Sequence, residues 1–183
     1  MIGNSTEIGT LSIGSAQNGG ITLNGAIVVD DTATFDGPVS LATGAISVTT
    51  TNDDITFNHS INGTQTLTLS SGSGAIVIDG AIGDTGILTA LSINATDGAS
   101  GTIEVANIGA TNAGASSTVA IGNSTTNTLT LDGTVYNTTS TQTYTAKTGG
   151  GNIDITGAAT FTTATTDIEF ATSDVDLLSL IHI

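Results

Sequence analysis

The 183-residue chain contains no cysteine, no tryptophan and no arginine, and only one lysine (Lys147), one proline (Pro38) and one methionine. Without cysteine there is no disulfide framework, zinc–thiolate cluster or thiolate nucleophile, and thiol usage gives no reading of the redox compartment. One base stands against 16 acids, for a formal net charge of -15. The chain therefore lacks the lysines and arginines that displace counterions from nucleic-acid phosphates or dock on an anionic membrane surface. Apolar runs stop at four residues, as at positions 26–29, far short of the roughly 20 that a membrane-spanning helix needs. Aromatic residues make up only 3% of the chain, which leaves few platforms for stacking sugars or bases.

What is present is equally biased. Thr (37) and Gly (24) fill a third of all positions, while 37 Thr, 21 Ile and 9 Val make 67 residues β-branched. Such side chains lose rotamer freedom in a helix and pack well on a pleated sheet. Disorder is excluded because 38% of residues are hydrophobic and mean hydropathy is +0.28, whereas disordered chains are poor in apolar residues. The composition predicts an all-β chain with Gly, Asn and Asp at its turns.

Apolar-x-apolar pairs recur from end to end: Leu11/Ile13, Ile21/Leu23, Ile46/Val48, Ile55/Phe57, Leu67/Leu69, Ile76/Ile78, Leu91/Ile93, Ile103/Val105, Val119/Ile121, Leu129/Leu131, Ile153/Ile155 and Ile168/Phe170. A period of two places both members of a pair on one face of a strand. A longer block contains several of them: aliphatic, x, aliphatic, Asn or Asp, Gly, small, aliphatic. It occurs at 21–27, 76–82 and 129–135, with degenerate copies at 33–39, 55–61 and 153–159. In a hairpin, Asp79-Gly80 would be a two-residue turn between antiparallel strands. In a solenoid, the same step is a corner between two faces of one coil. Only about three strand-like residues follow each Gly, too few for a hairpin arm and enough for one side of a coil. The expectation is a β-solenoid with coils of roughly 20 to 24 residues, about eight coils stacked about 4.8 Å apart. No domain boundary interrupts residues 1–177.

The stretches 54–57, 61–69, 74–83 and 88–93, continued by Leu131-Asp-Gly-Thr-Val-Tyr136, Gln142-Thr-Tyr144, Asn152-Ile-Asp-Ile155 and Thr160-Phe161, resemble the β-strand repeats of giant bacterial secreted exoproteins, the filamentous haemagglutinin-like adhesins. The resemblance covers roughly residues 15 to 176. It implies a right-handed parallel β-helix acting as a stalk or adhesive shaft, outside the cell or on the bacterial surface. The partners it implies are host or environmental glycans, neighbouring cells and flanking repeats of the same chain. Val119-Ala-Ile-Gly-Asn-Ser124 resembles instead the repeat of trimeric autotransporter heads, which implies a homotrimer. Met1-Ile2-Gly3 opens with no basic and hydrophobic leader, and 178–183 (Leu-Ser-Leu-Ile-His-Ile) leaves the Thr/Gly texture and resembles translated adapter sequence. The expectation is a fragment of a larger protein with a non-native tail, prone to aggregate through unprotected edge strands.

No residue is expected to be catalytic, to bind a cofactor or to hold a metal. Gly149-Gly150-Gly151-Asn152-Ile153-Asp154 departs from the calcium-binding G-G-x-G-x-D nonapeptide at its fourth position and has no second copy, so it is read as a turn. Acid pairs at Asp30/Asp31, Asp53/Asp54 and Asp174/Asp176 bring to mind carboxylate-dependent sugar cleavage, the rival reading being a carbohydrate-active β-helix enzyme with Asp53 or Asp54 as its acid. Neighbouring acids on a strand point to opposite faces, so solvated turns are expected instead. His59 stands where other blocks carry Gly and is expected in a turn. Six N-x-Ser/Thr sequons, among them Asn62-Gly63-Thr64 and Asn94-Ala95-Thr96, are near the number that composition alone gives. Thr-x-Thr triplets at 64/66, 128/130, 141/143 and 143/145 are reminiscent of ice-binding β-helices, but irregular coil length is expected to break up a flat array.

Overall fold

The structure, a computed structural model, describes residues 8–14, 19–96, 98–171 and 175–177. The chain winds through seven three-sided turns and begins an eighth. Turn 1 holds β1 (Leu11–Ile13), β2 (Ile21–Leu23) and β3 (Ile27–Val29); turn 2 holds β4 (Ala33–Phe35), β5 (Val39–Leu41) and β6 (Ile46–Thr50). Turn 3 contains β7 (Ile55–Phe57), β8 (Ile61–Gly63) and β9 (Thr66–Ser70). Turns 4 and 5 have two strands each, β10 (Ile76–Ile78) with β11 (Ala90–Ile93), then β12 (Ile103–Val105) with β13 (Val119–Ile121). Three strands return in turn 6, as β14 (Thr128–Leu131), β15 (Val135–Asn137) and β16 (Gln142–Thr145), and in turn 7, as β17 (Asn152–Ile155), β18 (Thr160–Thr162) and β19 (Ile168–Ala171). The eighth turn starts with β20 (Val175–Leu177).

Strands of successive turns pair in parallel and build three sheets. Face 1 stacks β1-β4-β7-β10-β12-β14-β17-β20, and face 3 stacks β3-β6-β9-β11-β13-β16-β19. Face 2 runs β2-β5-β8 and β15-β18, the gap being spanned by single-residue bridges through Ile61, Ile82, Ile108 and Tyr136. All pairings are parallel, and no helix occurs among the described residues. The parallel β-helix expected from the period-two pairs is therefore present, and Ile76/Ile78 lies in register on Ile55/Phe57.

Ten of the twelve aliphatic pairs are buried; Leu11/Ile13 and Ile168/Phe170, in the first and last complete turns, are half-buried against the same core. Phe35 and Phe57 stack in neighbouring turns with centroids 4.4 Å apart. The Asx-Gly step is a corner and not a hairpin: Ile78 leads through Asp79-Gly80 to the bridge at Ile82, and β14 leads through Asp132-Gly133 to β15. Gly80 is required there, because a Cβ would lie 2.2 Å from the carbonyl carbon of His59 in the turn below. The block at 21–27 is an exception in place. Its Asn24-Gly25 lies between β2 and β3, at the corner from face 2 to face 3, whereas the other five copies turn from face 1 to face 2.

Turns 6 and 7 also hold polar groups inside. Gln142, on the inward side of face 3, donates from Nε2 to the carbonyls of Tyr136 (3.0 Å) and Thr162 (2.7 Å) and accepts the Tyr144 hydroxyl at 2.6 Å. The Tyr136 hydroxyl donates to the Val105 carbonyl (3.0 Å) and accepts the Gly133 N–H (2.7 Å). Burial pushes the ionisation of both tyrosines well above the ordinary phenol range.

Candidate functional site

The feature that departs furthest from a plain rod is the outer side of face 3. From β6 to β13 its strands alternate mostly aliphatic inward residues with small outward ones, so the pleat sorts the sequence into core and surface. Along the sheet, Ser47 pairs with Thr68, Thr68 with Ser92, Ser92 with Ala120, Ala120 with Thr143 and Thr143 with Glu169. Flanking columns pair Thr66 with Ala90 and Thr49 with Ser70. From β3 to β16 this face carries no charged residue; the first acid in its strands is Glu169 in β19.

The charge lies elsewhere. Asp30, Asp31, Asp53 and Asp54 follow face 3, on the corner leading to face 1, while Asp36, Asp79 and Asp132 occupy the corner from face 1 to face 2. Glu104 and Asp154 sit within face 1. Thus a chain of charge -15 exposes a neutral array of hydroxyls and methyls, repeating about every 4.8 Å along the stack.

Coil length is uneven, yet the strand pairing of face 3 does not slip. Leu11 pairs with Ala33 and Ala33 with Ile55, steps of 22 residues, whereas Ile76 to Ile103 is a step of 27. The longer turns still follow the coil where Leu88 and Ala115 are buried in the core and paired with each other, and face 3 keeps its pairing from turn to turn. Of the Thr-x-Thr triplets, 143/145 belongs to this array as a whole, and 64/66 and 141/143 contribute Thr66 and Thr143. Thr130 is instead on face 1, paired with Glu104 and Asp154.

The other sequence candidates fall at corners. The acids Asp53 and Asp54 are turn residues, not members of a strand, and Asp54 Oδ1 accepts the N–H of Ala75 in the next turn at 2.7 Å. This carboxylate clips one coil to the next. Asp174 lies outside the described residues, and of Asp176 only the backbone pairing with Asp154 is described. His59 is half-buried in the corner between β7 and β8. The Gly149-Gly150-Gly151 run forms the turn into β17, with φ of 79° at Gly149 and 104° at Gly150. Among the sequons, Asn94 and Asn123 are buried and committed to internal hydrogen bonds. Residues 178–183 lie outside the described residues. Among the described residues no three His, Asp or Glu side chains are grouped as a metal site, and no helix is long and apolar enough to cross a membrane.

The face 3 array was only partly legible in sequence. Alternation at 46–50, 66–70 and 142–145 marks it, but its Ala and Ser members are too common in this chain to stand out. No family model, curated protein or solved structure matches the chain.

Proposed function

We propose that this chain is a non-enzymatic segment of the shaft of a secreted or surface-displayed bacterial adhesin, with the outer side of face 3 as its contact surface for glycans or neighbouring cells. The observation that carries the reading is the neutral Ser/Thr/Ala array held in register over β6, β9, β11, β13 and β16. A parallel stack supports reach, since each turn adds about 4.8 Å and pairs only with its neighbours. Short hydroxyl side chains lose little rotamer entropy on contact and offer both donors and acceptors. An extended surface of this kind suits weak, repeated contacts with a neutral hydroxylated partner, whose strength grows with the number of turns engaged.

The test pairs a glycan array and a cell-binding assay with the charge-introducing variants Thr68→Glu and Ser92→Glu, both on outward positions. Binding by the parent chain that is lost in both variants supports the proposal. Release of reducing sugar that disappears in Asp53→Asn or Asp54→Asn would overturn it in favour of a carbohydrate-active enzyme. A homotrimer in solution would favour the autotransporter-like alternative.

A further inference from the structure

The chain contains three Asn-Gly steps, at 18–19, 24–25 and 62–63. Asn18 lies outside the described residues; the other two stand in contrasting surroundings. Asn62-Gly63 ends β8, inside face 2. There the Gly63 N–H donates to the Gly86 carbonyl at 3.2 Å, and Asn62 Oδ1 accepts the N–H groups of Thr85 (2.9 Å) and Gly86 (3.3 Å). Asn24-Gly25 is the corner between β2 and β3, with Asn24 exposed and Gly25 half-buried. Asn24 Oδ1 accepts the Thr43 hydroxyl at 3.0 Å, but the Gly25 N–H has no hydrogen-bond partner among the described residues, and a Cβ built on Gly25 meets nothing within 4 Å.

We infer that Asn24 is a site of spontaneous self-modification, an internal deamidation that the fold permits at the β2–β3 corner and suppresses at Asn62. The side-chain carbonyl is polarised by a hydrogen bond in both places, so the nucleophile makes the difference. At Asn24 the Gly25 backbone nitrogen, giving its proton to solvent base, attacks Cγ. A nitrogen–carbon bond forms, the bond from Cγ to the side-chain nitrogen breaks, and that nitrogen leaves as ammonia with a proton from water. Water then adds to either carbonyl of the resulting succinimide ring and opens it to aspartate or isoaspartate. Glycine is suited to the attacking position because no side chain shields its nitrogen. At Gly63 the same nitrogen is held in a rung by its own hydrogen bond, and that rung must open before it can react. The isoaspartate product routes the main chain through one extra methylene. Because strand register depends on corner length, this loosens the pairing of Ile27 with Val48 beside it.

The test is to incubate the full chain at mildly alkaline pH and follow Asn24 and Asn62 by mass spectrometry of non-tryptic peptides, which also separates Asn18. In the folded chain Asn24 is expected to convert at least about tenfold faster than Asn62, from the hydrogen bonds that must open at the latter. In urea the two are expected to converge. Gly25→Ala, which the open space around Gly25 accommodates, is expected to slow conversion at Asn24 and leave Asn62 unchanged. Equal rates in the folded chain, or a rate at Asn24 indifferent to Gly25→Ala, would overturn the inference.

Discussion

Gln142 is the residue at which a single substitution should say most about this core. The inward column it occupies carries Ile46, Leu67, Leu91 and Val119 in the preceding turns and Ile168 in the next. By pattern alone Gln142→Leu should be welcome, with transfer of an aliphatic side chain contributing about 2 kcal/mol. The structure argues the reverse. The substitution removes three hydrogen bonds, each with a net contribution of about 1 kcal/mol, and strands the buried Tyr144 hydroxyl at a further cost of about 1 to 3 kcal/mol. The expected outcome is a net loss of about 2 to 4 kcal/mol, with Tyr144→Phe alone losing about 1 kcal/mol. In the double variant no hydroxyl is left stranded, so its loss should fall short of the summed single losses by at least about 1 kcal/mol. Urea unfolding is to be followed by far-ultraviolet circular dichroism for the whole rod and by tyrosine fluorescence. The chain has no tryptophan, and its only tyrosines are Tyr136 and Tyr144, so the second signal reports turn 6 locally. Additive losses, or a Gln142→Leu chain more stable than the parent, would refute the reasoning.

Alkaline pH should unfold the rod: burial raises both tyrosines above the ordinary phenol value of about 10, so the unfolded chain loses these protons first and stability falls once pH passes about 10. The slope reaches about 1.4 kcal/mol per pH unit for each tyrosine, and stability is unaffected below that range; an absorbance titration should show both phenols ionising together with unfolding. Gly101→Ala should be severely destabilising, since its Cβ would lie 1.7 Å from the Gly74 carbonyl oxygen, whereas Gly25→Ala should melt like the parent. Asn107→Ala should cost about 1 to 2 kcal/mol, because Oδ1 accepts the N–H groups of Thr134 (2.7 Å) and Val135 (3.0 Å) in the next turn. Asn107→Asp, which keeps the acceptor, should restore most of that loss in the same melting assay.

Faces 1 and 3 were legible because two inward positions separated by one outward residue leave a period-two mark. Face 2 left a weaker one. In turns 4 and 5 it shrinks to the single bridging residues Ile82 and Ile108, which have no partner two positions away from which a period could be read. In turn 6 the inward positions fall to Tyr136, Gln142 and Tyr144, so the apolar-x-apolar rule skips from Leu131 to Ile153 and misses β15 and β16. The Asx-Gly corner was readable as a corner, but the two locations of the block were not. Asn24-Gly25 and Asp79-Gly80 have the same local chemistry, and only pairing with the adjacent turns decides which corner each occupies.

The polar interior follows the changes in coil length. Turns 1 to 3 repeat at 22, 22 and 21 residues, from Leu11 to Ala33, Ile55 and Ile76. The next steps lengthen to 27 and 26, to Ile103 and Leu129. Enlarged corners carry more backbone, and backbone turned inward must find partners. Asn94 and Asn123 meet that need where the long corners begin. Asn94 Oδ1 accepts the Ser71 N–H at 2.9 Å, and Asn123 Nδ2 donates to the carbonyls of Thr96 (3.0 Å) and Ala99 (2.9 Å) in the loop of the preceding turn. These contacts join particular pairs of turns. Aliphatic columns of nearly equal period would tolerate a displacement by one whole coil, since Ile stacks on Ile or Leu with little preference. A buried amide displaced in the same way loses its acceptors. The asparagines and Gln142 therefore fix which turn lies on which, and the outward hydroxyl columns of face 3 inherit their register from that internal order.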